Sequence, residues 1–320
     1  MKKFVSLLLG LTMLTGLTAC SGGDDAVVSN DAEYTVGLLQ MVEHPSLDEI
    51  RTAIEDEIAA QGYADVIALD YQNGQNDPST MNTITQKFVA NKDDAIVAIA
   101  TVAAQSAAAA TTDIPIIFSA VTDPVAAELV TDPNAPDSNI SGISDVIDVS
   151  AIFGLAEELT PEVASYGFIY NMGEVNSVSV INDAKAYLDA NNIHYEEAFV
   201  TNIGEVTTAA QSLIGKVDAF FLPIDNTVAS AMSNVAEIAN SNQIPVYVAA
   251  DSMVNDGGLA TVGVNYTQLG KQTADMLIRI LIDGETIAEN PVESMTEYSV
   301  TVNPDTAAAI GVDVSKYIAE

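Results

Sequence analysis

Ala95-Ile96-Val97-Ala98-Ile99-Ala100-Thr101-Val102-Ala103-Ala104-Gln105 is the stretch that decides the fold class. It opens as an unbroken apolar run and passes after Ala100 into small residues at helical spacing, which continue to Thr111. A strand with one wet face alternates polar and apolar residues, whereas Ile96, Val97 and Ile99 show no such alternation. A strand of that kind is buried on both faces, which requires a parallel sheet with helices on each side. The same signature stands upstream in Val36, Leu38 and Leu39, and downstream in Ile114, Ile116, Ile117 and Phe118.

Outward from this core, strands are predicted at 34–40, 66–71, 95–100, 114–121 and 140–144, with helices at 47–61, 79–91 and 102–111. The pattern then restarts. Strands at 166–170, 194–200, 219–224 and 246–250 alternate with helices at 175–190, 206–214 and 227–240. A strand at 260–264, a helix at 269–282 and a late strand at 298–302 with a short helix after it complete the chain. The predicted fold is α/β: two doubly wound parallel-sheet lobes with a hinge, the chain returning late to the first. The first lobe is expected from 33–146 with about 254–290, the second from 147–253 with about 291–320.

The ends speak to location. Lys2 and Lys3 precede an apolar run at 4–11, which Leu14 and Leu17 continue, and Leu17-Thr18-Ala19-Cys20 closes it. Charged start, apolar middle and small-residue end make a secretory signal, predicted at 1–19. Cys20 is the only cysteine, so no internal disulfide forms. It stands where a lipoprotein peptidase cuts, and is predicted to be acylated as the mature N-terminus. Several acyl chains, at about 0.8 kcal/mol per buried methylene, make a durable anchor. An ordinary signal peptide with a chance cysteine is the plainer reading. Residues 20–32 then form a small, polar, acidic tether to a protein held outside the cytoplasm, in the periplasm or on the outer face of the cell membrane.

The chain carries 10 basic and 45 acidic residues, and losing Lys2 and Lys3 leaves eight against 45, a net charge of −37. Such a surface repels phosphate backbones and excludes nucleic acid as a partner. A saline habitat is one source of such a surface. A monomer is expected.

Ligands of doubly wound sheets sit at the carboxyl ends of the strands, so those loops carry the candidate site. After the first strand come Gln40 and His44; His44 either touches ligand or shapes the turn before Pro45. Ser46, with Glu49 three residues on, matches a capping box. After the third strand, Thr101, Ala103, Ala104 and Gln105 combine small residues with the free N–H groups of a helix start, which attract an anion such as a carboxylate. After the fourth, Ser119 and Thr122 offer hydroxyls, and Asp123 reads first as a cap of the next short helix. In the second lobe Asn176, Asp225, Asn226 and Asp251 follow strands. A buried carboxylate needs a partner. No basic residue lies in these loops, so Asp225 and Asp251 point to a cationic ligand group; N-cap duty is the other role of Asp225. An amino acid would accordingly set its carboxylate against Thr101, Ser119 and the Ala103–Ala104 amides, and its ammonium against Asp225, helped by Asn176 or Asp251.

No catalytic set is present. His44 and His194 have no cysteine partner, no paired spacing for a metal exists, and neither a nucleophile elbow nor a Gly-rich nucleotide cradle appears. An enzyme is therefore not expected, nor any cofactor or metal.

These loops are similar to those of one family, the ABC-transporter substrate-binding proteins of the tryptophan/tyrosine transport type. The matching strings are Val36-Gly37-Leu38-Leu39-Gln40 with His44-Pro45, Asp70-Tyr71-Gln72-Asn73-Gly74-Gln75-Asn76-Asp77 and Ile99-Ala100-Thr101-Val102-Ala103-Ala104-Gln105. Phe118-Ser119-Ala120-Val121-Thr122-Asp123-Pro124, Glu174-Val175-Asn176-Ser177, Pro223-Ile224-Asp225-Asn226-Thr227, Asp251-Ser252-Met253-Val254 and Leu269-Gly270-Lys271 join them. The resemblance runs from about Tyr34 to the C-terminus. It implies a periplasmic-binding-protein type I fold with three hinge crossings, no catalysis, and capture of a small solute, aromatic amino acids first, for delivery to an ABC permease. Val102 stands where the family pattern has proline. A ligand-sensing partner of a membrane signalling protein would use the same fold. A sugar-binding transcription regulator would need a basic helix-turn-helix where this chain has its signal.

Overall fold

The computed structural model describes residues 32–296 and 298–318. The predicted signal and Cys20 lie outside the described residues.

The chain begins with β1 (Tyr34–Gln40), α1 (Pro45–Ala60), β2 (Ile67–Asn73), α2 (Pro78–Asn91), β3 (Ala95–Ile99), α3 (Thr101–Ala110), β4 (Ile116–Ser119) and β5 (Ile140–Ser144). It continues with α4 (Val149–Leu159), β6 (Ser165–Asn171), α5 (Val175–Ala190), β7 (His194–Val200), α6 (Ile203–Leu213) and β8 (Ala219–Leu222). Then come α7 (Asn226–Ala229), α8 (Met232–Ser241), β9 (Val246–Val248), α9 (Asp251–Asn255), β10 (Ala260–Gly263) and α10 (Tyr266–Leu281). β11 (Glu293–Ser294), β12 (Ser299–Val302) and α11 (Pro304–Ile310) close it.

Two six-stranded sheets result, in the orders β11-β5-β4-β3-β1-β2 and β12-β10-β9-β8-β6-β7. All pairings are parallel except β10 with β12 at one edge. β3 lies between β1 and β4 with every residue buried, as its apolar run requires. The chain passes between sheets three times: after β5, after β10 and after β11.

The strand β10 departs from the expected division. Residues 254–290 were predicted to belong to the first lobe, but Ala260–Gly263 hydrogen-bonds beside β9 in the second sheet. The return to the first sheet occurs only at α10, and Glu293–Ser294 pairs with β5 there, so 291–294 belongs with the first lobe. Both strands are edge or near-edge pieces of two to four residues, too short to show which sheet they extend. The predicted helix at 227–240 is two helices, because the chain turns at Ser230 and Ala231. α4 was not anticipated.

Strand ends have a local cause. Ala100 (φ 80°) and Ala120 (φ 56°) leave the extended region, so β3 stops at Ile99 and β4 at Ser119, short of the predicted 121. α10 packs on α1 through Gly270: a Cβ there would stand 2.6 Å from the Ile50 carbonyl oxygen. That close approach carries Tyr266, at the first turn of α10, beside the loop that starts α1.

Candidate ligand-binding cleft

The carboxyl ends of both sheets face one small cavity of about 20 Å³, which the closed lobes nearly fill with their own side chains. The first lobe lines it with His44, Ser46, Leu47, Ala100, Ala120, Asp145 and Tyr266. The second supplies Asn176, Ile224, Asp225, Asn226, Ala229, Ala250 and Met253.

The lobes are closed on this cavity and bonded to each other around it. His44 Nε2 meets Asn226 Oδ1 at 3.0 Å, and the hydroxyls of Ser46 and Ser252 touch. Asn76 Nδ2 donates to Thr227 Oγ1 at 3.3 Å, and Ser179 Oγ donates to Asp123 at 3.1 Å. Ser46 therefore lies inside α1, spent across the cleft, and not at its cap. The N-cap is His44, with no side-chain bond, and Glu49 accepts instead from Thr267.

Buried acid dominates the cavity. Asp145, just past β5, is fully buried and accepts from Thr122 Oγ1 at 2.8 Å and Tyr266 OH at 3.4 Å. Burial pushes its carboxyl up to about 6, against the pull of those two donors. Asp225 accepts Val228 N–H at 2.8 Å, which caps α7, and Asn171 N–H at 2.7 Å. Burial, then the neighbouring Glu174, raises its pKa well above the usual carboxylate value. Glu174, itself 1% exposed, accepts from Asn226 N and Nδ2 and from Thr227 N and Oγ1, at 2.7–2.9 Å. Burial lowers the pKa of His44, its bond to Asn226 and the nearby Glu174, Asp48 and Asp256 opposing. Acids from both lobes thus converge on a cavity that no Lys or Arg lines.

The start of α3 stands beside this cavity, where Ala100 lines it. Ala104 N–H bonds Ala100 O at 3.1 Å, the first bond of α3. The amides of Thr101, Val102 and Ala103 precede it and take no partner within the helix. Thr101 Oγ1 is buried and unpartnered among the described residues. A helix start of this kind favours an anion. Ala100, with φ 80° and ψ 158°, turns the chain from β3 into that helix and lines the cavity.

Of the predicted residues, His44, Asn176, Asp225 and Asn226 line the cavity. The others stand elsewhere. Gln40 Nε2 donates to Val42 O and Asp48 and shapes the first loop. Gln105 donates to Ala127 O, and Ser119 Oγ meets Thr273 Oγ1 on α10. Thr122 reaches the cavity through Asp145. Asp123 accepts Ala126 N–H within a turn, since the short helix it was expected to cap does not form. Asp251 begins α9 and is half-buried, its pKa raised first by burial. Ala103 and Ala104 are fully buried, and the Ala104 amide is spent. Sequence reasoning missed Asp145, Ala120, Tyr266 and Met253 as lining residues. Asp145 directly follows a predicted strand, so the rule that found Asp225 applies to it equally.

A family described as ABC transporter substrate binding protein matches residues 35–320. A tyrosine-binding protein of Clostridioides difficile (strain R20291) is 38% identical over 332 residues, covering 100% of this chain and 94% of the relative. The structure of an ABC domain in complex with L-Trp from Streptococcus pneumonia is 36% identical, with a TM-score of 0.85 over 88% of this chain and 96% of that one. The ligand-free, open structure of a Clostridium difficile substrate-binding protein with adhesive properties is 39% identical over 89% and 98% of the two chains, yet its TM-score is 0.69.

Proposed function

Because the chain belongs to the ABC transporter substrate-binding protein family, a family of non-catalytic solute carriers outside the cytoplasm, we propose that it captures an aromatic amino acid and hands it to an ABC importer. The carrying observation is the closed cavity with Asp145 from one lobe, Asp225 from the other and no Lys or Arg in its lining. It fits a ligand with a buried cation. Leu47, Ile224, Met253 and Tyr266 give an apolar wall for the ligand's side chain. The free amides at the start of α3 donate to its carboxylate, and Asp225 accepts from its ammonium. The ligands named for the relatives, tyrosine and L-Trp, support the aromatic class.

Acylated Cys20 and the acidic tether hold the protein, as a monomer, at the membrane surface beside its permease. Among the described residues no helix is long and apolar enough to cross a membrane.

A thermal-shift screen with the twenty amino acids, followed by calorimetry on Asp225→Ala, tests the reading. Tyrosine or tryptophan at 100 times its dissociation constant stabilises by about 2.7 kcal/mol. Losing a charge-assisted bond of about 1.5–3 kcal/mol weakens binding roughly tenfold to a hundredfold or more. No response to any aromatic amino acid defeats the ligand class; unchanged affinity in a folded variant leaves Asp225 a helix cap alone.

A further inference from the structure

His44 has two ring nitrogens, and one is spent. Nε2 stands 3.0 Å from Asn226 Oδ1. An amide oxygen only accepts, so Nε2 carries the ring hydrogen. The amide is fixed in turn, because Asn226 Nδ2 donates to Glu174 at 2.7 Å, and reversing it would set oxygen against carboxylate. Glu174 thus selects the His44 tautomer through Asn226. Nδ1 is left as a bare lone pair, buried and unpartnered among the described residues, on a side chain 7% exposed. Asn176, in the other lobe, is in the same condition. Its Nδ2 donates to Ile224 O at 2.6 Å, and its Oδ1 is buried and unpartnered on a side chain 2% exposed. Both residues line the cavity. Buried acceptors are normally satisfied, so two orphans on one cavity call for a donor from outside the chain.

We propose, building on the reading of an amino-acid ligand, that its ammonium group ties the lobes together by donating to His44 Nδ1 from the first lobe and to Asn176 Oδ1 and Asp225 from the second. An ammonium has three hydrogens and no lone pair, which matches three acceptors. A phenol or indole donor has one hydrogen and leaves two acceptors unmet. Ligand capture then requires His44 neutral, and its burial favours that form; Glu174, Asp48 and Asp256, the acids around it, oppose. The same atoms explain closure: the ammonium is satisfied only when both lobes reach it, so it binds the closed form better than the open one.

Calorimetry on the full chain tests this. The ligands are L-tyrosine and L-tryptophan, with the amine (tyramine, tryptamine) and the desamino acid (3-(4-hydroxyphenyl)propionate, 3-indolepropionate) of whichever binds. His44→Phe removes the lone pair and keeps the ring; His44→Asn keeps an acceptor near the Nδ1 position. His44→Phe is expected to weaken the amino acid and the amine by roughly ten- to a hundredfold and to change the desamino acid much less, while His44→Asn stays nearer to wild type. Equal weakening of all three compounds overturns the proposal, because His44 then acts only as a contact between lobes. Unchanged affinity for the amino acid overturns it also. Should His44→Phe fail to fold, His44→Asn decides: its selective loss of the desamino acid, with the amine unaffected, is the reverse of the expectation and overturns it. A wild-type protein that binds neither amino acid defeats the ligand reading itself, a result distinct from these.

Discussion

His44, at the turn into α1, and Asn226, at the first residue of α7, are 182 positions apart in sequence and meet at 3.0 Å across the cleft. The bond joins the two lobes at a point where both residues are buried, and it ends on Glu174 through the Asn226 amide. Such a bond can be made only in the closed arrangement. It therefore sets part of the balance between open and closed forms.

Asn226→Ala should shift that balance towards the open form. A net hydrogen bond is worth about 0.5–1.5 kcal/mol, so the closed fraction relative to open falls about two- to tenfold. X-ray scattering on the protein without amino acid should show a larger radius of gyration for the variant than for wild type, and saturating ligand should narrow the gap. Identical radii without ligand would mean that other contacts hold the lobes.

Asp145 makes stability depend on pH with a definite sign. Its folded-state pKa, about 6, lies above the ordinary carboxyl value, so the folded protein binds the proton more tightly than the unfolded chain. This contribution is complete below the unfolded pKa of roughly 4 and is lost as pH rises through about 6. Thermal stability without ligand should rise as pH falls from 7.5 to 5. Asp93, also pushed up to about 6 by burial and then by Asp70 and Asp94, acts in the same window. Asp145→Asn isolates the first: at pH 7.5 it should stabilise by on the order of 1–3 kcal/mol, with a flatter pH profile. Destabilisation at pH 7.5 would show that the carboxylate is needed by Thr122 and Tyr266.

Ala100 holds a backbone conformation, φ 80° and ψ 158°, that belongs almost wholly to glycine. The strain costs on the order of 1–3 kcal/mol, and glycine gives back about 0.5–1 kcal/mol through the flexibility of the unfolded chain. Ala100→Gly should therefore stabilise by roughly 0.5–2 kcal/mol. Urea unfolding should show a higher midpoint at unchanged slope. A lower midpoint would mean that the Cβ packing at this cavity wall outweighs the strain.

Cys20→Ala addresses the anchor. The variant should stay unprocessed by the lipoprotein peptidase or appear as a released form, and in either case lose its acyl chains. Partitioning between detergent and aqueous phases reads this directly, and unchanged partitioning sinks the lipid anchor.

Much of the fold was legible because burial on both faces leaves a mark that needs no partner to recognise. Ile96, Val97 and Ile99 announce a central parallel strand wherever they sit, and the alternation with helices then sets the architecture. The boundaries of α5 and β7 were legible for the same local reason. Edge pieces were not. Two residues at Glu293 or four at Ala260 carry no period, and only the neighbour they pair with decides their sheet.

The site divides along the same line. Sequence alone determined that the loops after strands would bear Asp225, Asn226 and Asn176, and that no Lys or Arg lies in those loops, because loop position and composition are local properties. The tertiary structure alone decided which polar atoms are free. Ser119 is turned to Thr273, Gln105 to Ala127, and the Ala104 amide to Ala100, whereas His44 Nδ1 and Asn176 Oδ1 are left without partners. The physical reason is that a hydrogen bond depends on distances of about 3 Å between groups far apart in the chain. Those distances exist only once two lobes, folded from interleaved segments, close on each other.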